Sequence, residues 1–86
     1  MKVIFSTNID AYKGAFPTNF VSPNIPRKGD MVEIDRRNAS KMVTKRLPLQ
    51  LEVCQVTWNE NFVEVELHYS ELQAKMLQSR EFNAYP

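Results

Sequence analysis

Apolar and polar positions alternate most regularly between Leu47 and Tyr69, and this period of two predicts a pair of strands, Leu47 to Trp58 and Phe62 to Tyr69. Asn59-Glu60-Asn61 between them reads as a three-residue hairpin loop, with Asn61 suited to the left-handed conformation. That loop sets Trp58 opposite Phe62, and each residue then faces the one equally far from Glu60. One side of the ribbon becomes Leu47, Leu49, Leu51, Val53, Val63, Val65, Leu67 and Tyr69. The other carries Gln50, Glu52, Cys54, Val56, Trp58, Phe62, Glu64, Glu66 and His68. A slip of one residue would mix the two sets, so the pattern itself specifies the register.

Lys2-Val3-Ile4-Phe5-Ser6 predicts a short first strand. Residues 7–28 hold Gly14, Pro17, Pro23 and Pro26 with no sustained period, which predicts a long ordered loop. Its Tyr12, Phe16, Phe20, Val21 and Ile25 are expected to lie against the core. Gly29-Asp30 is a turn signal, and Met31 to Asp35 follows with strand alternation. Residues 36–46 are polar and basic and read as a mobile loop. Ser70-Glu71-Leu72-Gln73 matches a capping box and predicts a helix from Glu71 to about Ser79, with Leu72, Met76 and Leu77 as its inner stripe. Phe82 to Pro86 reads as a frayed tail or a short closing strand. The fold class expected is mainly β (α+β), as a single domain over 1–86, a length that supports one two-layer core.

The order of elements, with a long loop running into Lys28-Gly29-Asp30-Met31-Val32, resembles the SH3-like small barrels over residues 2–85. The resemblance implies a small barrel or a strongly bent antiparallel sheet with one short C-terminal helix. The paired tryptophans and acidic loop of peptide-binding SH3 domains are missing, so proline-peptide binding does not carry over. The Pro-x-x-Gly-Asp-x-Val opening at 26–32 and the Val-x-x-Val-x-Trp strand at 53–58 are also similar to small proteins of phages and bacterial mobile elements.

Composition narrows the setting. The longest apolar run is Val3-Ile4-Phe5, far short of a membrane span or a secretory leader. Cys54 is the only cysteine, which excludes an internal disulfide or a cysteine zinc site and favours a cytoplasmic location. Charge is unevenly spread. Residues 27–46 carry seven cations against Asp30, Glu33 and Asp35, a net +4, whereas 47–86 carry Lys75 and Arg80 against six glutamates, a net −4. Such halves suit a protein partner or a second copy of the chain.

The candidate chemistry is sparse. Cys54 and His68 share a strand face, but diagonal neighbours stand roughly 7–8 Å apart, against the contact nucleophilic catalysis needs. Glu64, Glu66 and His68 alternate along one strand and point outward in parallel rather than converging on a metal ion. Pro23-Asn24-Ile25-Pro26-Arg27 fits a proline-helix ligand and equally a stiffened approach to the Gly29-Asp30 turn. No enzyme, metal or cofactor is expected. The leading expectation is a non-enzymatic protein-interaction or assembly module, with Trp58, Phe62 and Val56 as an aromatic anchor patch inside a charged border. The alternative is a nucleic-acid-binding small β-barrel that uses Arg36, Arg37, Lys41, Lys45 and Arg46 to neutralise phosphates.

Overall fold

A computed structural model describes residues 2–17, 20–21 and 25–83 of the chain. The strands are β1 (Lys2–Thr7), β2 (Phe20–Val21), β3 (Met31–Glu33), β4 (Gln50–Trp58) and β5 (Phe62–His68), with helices α1 (Ala39–Thr44) and α2 (Glu71–Asn83). The fold is mainly β with two short helices, in the order β2-β1-β5-β4-β3 within one curled sheet. The sheet is mixed rather than purely antiparallel, because β1 lies parallel to β5 from Lys2↔Phe62 to Thr7↔Leu67. That pairing places the apolar β1 beside the most regularly alternating strand, with Val3 and Phe5 next to Val63 and Val65.

The inner face follows the hydrophobic alternation. Leu51, Val53, Val63, Val65 and Leu67 are buried, and Leu47 and Tyr69 pack half-buried against them. Leu49, at 44% exposure, departs from the set, since β4 begins only at Gln50. Tyr12, Ala15 and Phe16 close this core from the long 7–28 segment, which forms a 3₁₀ turn at Asp10–Tyr12 and contributes β2 rather than running as plain loop. Tyr12 stands edge-on to Tyr69 at 5.7 Å and donates its hydroxyl to the Pro48 carbonyl at 2.7 Å. Burial and the neighbouring Tyr69 raise the Tyr12 phenol well above its usual pKa. Of the proline-rich stretch, Pro23 and Asn24 lie outside the described residues, and Ile25 packs against the core. The Gly29-Asp30 turn forms as expected. Asp30 N–H donates to Arg27 O at 2.9 Å, and Gly29 takes φ 96° at the position where a type II turn requires it.

The hairpin differs from its expected register at the tip. Val53↔Leu67 and Glu52↔His68 pair as predicted, but Val56 opposes Val65, Thr57 opposes Glu64 and Trp58 opposes Val63. Asn59 N–H donates to Phe62 O at 2.9 Å, so the loop is the two residues Glu60-Asn61. Among the described residues, the only non-glycine with positive φ is Arg46, so Asn61 is not left-handed. A β-bulge reconciles the two halves: Cys54 and Gln55 together oppose Glu66. The extra residue flips the strand beyond it, turning Val56 and Trp58 to the core face and leaving Phe62 on the opposite face with Glu64 and Glu66.

Residues 36–46, expected as a loop, are largely helical. Asp35 caps a 3₁₀ turn over Arg36–Asn38 by accepting from Arg37 N–H at 3.1 Å, and α1 follows directly. Met42 anchors α1 in the core. Leu47 N–H reaches Met42 O at 2.9 Å and Arg46 N–H reaches Val43 O at 3.0 Å around the left-handed Arg46 (φ 57°), which together make a Schellman ending.

The capping box of α2 forms in full: Gln73 N–H donates to Ser70 Oγ at 3.1 Å, and Ser70 N–H to Gln73 Oε1 at 2.9 Å. The expected inner stripe does not form. Leu72 and Met76 are 68% and 59% exposed, and only Leu77 is half-buried. The helix is tethered at its start by Gln73 Nε2 donating to Gln50 O at 2.8 Å. It runs through Phe82, so the expected tail is helical up to Asn83.

Candidate interaction site

The bulge shapes the one aromatic surface position of β4. Beyond Val53, β4 has β5 on one side only. β3 stops at Met31↔Glu52, and the ladder ends with Gly29 N–H to Val53 O and Val53 N–H to Asp30 O. In the alternating antiparallel ladder, the Asn59–Phe62 bond makes Thr57 face β5 and directs the main-chain groups of Val56 and Trp58 outward. Among the described residues no backbone hydrogen bond reaches those groups. The segment Ile25–Lys28 runs alongside without pairing and leaves an open groove of about 530 Å³ against Cys54–Trp58.

Trp58 is 63% exposed at the end of this groove. Val56 is half-buried beside it and packs on the core. Arg27 and Lys28 form the far wall; neither side chain is in an ion pair among the described residues, while the Arg27 main-chain N–H donates to the Asp30 carboxylate at 2.9 Å. The arrangement is a Val56 floor, an exposed indole, strand hydrogen-bonding groups without a partner among the described residues, and a basic rim. Of the three residues expected to form a patch, the structure brings Val56 and Trp58 together on one face and places Phe62 on the other, opposite Lys2. The basic rim at Arg27 and Lys28 was missed by pattern reasoning. The signal for the flip is visible, however: Val53 and Val56 are three apart, where unbroken alternation needs two.

The charged residues sort by layer. Glu33, Glu52, Glu64 and Glu66 share the outer sheet face, with Lys2 as the lone cation among those positions. Met42 seats α1 on the inner face of the sheet, and Arg36, Lys41 and Lys45 in and beside that helix are all exposed. Arg37 pairs with Asp35 at 3.0 Å, which lowers the Asp35 carboxyl and raises the guanidinium.

The remaining candidates do not assemble into reactive sites. Cys54 Sγ lies 3.4 Å from Glu66 Oε2 and 3.3 Å from Glu66 O. Burial first, then the Glu66 hydrogen bond and charge, push its thiol pKa up, the opposite of an activated nucleophile. His68 accepts from Tyr69 N–H through Nδ1 at 2.8 Å and packs edge-on to that ring. Among the described residues no group of His, Cys, Asp and Glu is arranged to hold a metal ion, and no helix is long and apolar enough to cross a membrane. No family model, curated protein or solved structure matches the chain.

Proposed function

We propose that the protein is a non-enzymatic, cytoplasmic protein-interaction or assembly module whose contact site is the groove beside β4, with Trp58 as anchor and Val56 as its floor. The observation that carries this reading is the exposure of Trp58 beside strand groups that have no partner among the described residues. Interfaces concentrate binding energy in aromatic anchors within a polar rim, and a sheet edge with unused hydrogen-bonding groups is a template for another chain.

The test is Trp58→Ala. As an exposed anchor, Trp58 contributes little to the fold, so urea unfolding should shift by less than about 1 kcal/mol. A core tryptophan would cost about 3–5 kcal/mol. Proteins cross-linked to the wild-type chain should be lost from the folded variant; equal capture by both would overturn the reading.

A second reading keeps the nucleic-acid alternative. Arg36, Lys41 and Lys45 are exposed around α1, which packs on the inner rather than the acidic face of the sheet, and this lessens the repulsion that would oppose a nearby phosphate backbone. Arg37 and Arg46, also exposed, lie in the same segment. Charge reversal at Arg36, Lys41 and Lys45 should abolish such binding, and wild-type affinity should fall steeply with salt. Retention by the triple variant would exclude this surface.

A further inference from the structure

Resting on the interaction reading, we propose that the groove beside β4 takes an extended segment rich in carboxylates, which adds to the sheet as a sixth strand along Gln55–Trp58. Two features of the edge favour a strand. Val56 and Trp58 direct their main-chain groups outward at alternate positions, the spacing that an incoming strand would meet. Beyond the bulge, the stretch Val56–Trp58 carries no lysine, proline or charged residue, three of the devices that keep strangers off an exposed edge.

Sign comes from the far wall. Arg27 and Lys28 line the groove, both exposed, and their side chains form no ion pair among the described residues; the one carboxylate held there, Asp30, is bound by the Arg27 main-chain N–H at 2.9 Å, so the two cationic side chains favour an acidic occupant. Trp58, turned to the core face by the bulge, covers the side chain that the added strand directs toward Val56. The acidic segment is therefore read by three features together: main-chain pairing, a basic rim and an indole cover.

The probe is a synthetic eight-residue peptide of alternating valine and glutamate, titrated into the isotope-labelled full chain and followed by NMR. The Val56 and Trp58 amides should shift and become protected from exchange. The same peptide with lysine for glutamate should bind at least tenfold more weakly. N-methylation of its alternate amides should abolish binding. Exchanging the rim by Arg27→Glu with Lys28→Glu, both exposed positions, should invert the preference toward the lysine peptide.

Undisturbed Val56 and Trp58 amides, or equal binding of the two peptides, would overturn the proposal. So would concentration-dependent shifts of the same amides without peptide, which would assign the edge to a second copy. If Trp58→Ala loses its cross-linked partners while the glutamate peptide fails to bind, the interaction module stands and the acidic strand falls. If capture also survives Trp58→Ala, both fall.

Discussion

Cys54 illustrates how surroundings fix a residue's chemistry. Partial burial favours the neutral thiol, and the Glu66 carboxylate 3.4 Å from Sγ acts in the same direction. Alkylation of Cys54 at pH 8 should therefore be slower in the native chain than in urea, and Glu66→Gln should speed it by lowering the thiol pKa. An equal rate in the native and unfolded chain would contradict this account. The linked effect on stability has a definite sign. The contribution of a thiol with a raised pKa is complete below the ordinary thiol range and is lost as pH rises through that range toward the raised value. Tyr12 makes the other decisive single contact. Tyr12→Phe keeps the ring packed against Tyr69 and Phe16 but leaves the Pro48 carbonyl unpaired, so urea unfolding should register a loss of about 1–2 kcal/mol.

Each element was as legible as its hydrophobic period was long. β4 and β5 carry enough alternation that five core residues could be assigned to one face, and they are buried together. The Ser70–Gln73 capping box was legible because both of its hydrogen bonds are local. Ser70→Ala should cost α2 about 1 kcal/mol, seen as lost helical circular dichroism. The tip register was misread because one extra residue at Cys54–Gln55 restores the pattern on each side while shifting everything beyond it. That same shift separated Phe62 from Trp58 and so redrew the candidate site. α1 was hidden for a different reason: its six residues hold one buried side chain, Met42, too little for a period of 3.6 to show. Its ending offers a sharp check. Arg46 sits at φ 57° in the Schellman turn, a conformation glycine adopts without strain. Arg46→Gly should therefore be more stable than Arg46→Ala by about 1 kcal/mol, whatever the arginine side chain itself contributes. Equal stabilities would remove the left-handed turn from the account.

At the scale of the whole molecule, part of the charge imbalance is separated in space, with Glu33, Glu52, Glu64 and Glu66 on the outer sheet face and the exposed cations around α1 on the side of the core. Identical copies would attract front to back, a heterologous contact that is not closed by two-fold symmetry. Exposed ion pairs are individually weak, so sedimentation should show association only at high protein concentration and low salt, reversed as salt is added. A monomer throughout would exclude it. The central claim is narrower than assembly in general: the site beside β4 exists because Trp58 is open to solvent rather than folded into a second core. Trp58 is the only tryptophan, so intrinsic fluorescence reports on this position alone. The native chain should emit at the wavelength of free tryptophan in water and be quenched by neutral acrylamide nearly as efficiently as the urea-unfolded chain. A blue-shifted emission, shielded from acrylamide until the chain unfolds, would contradict the account.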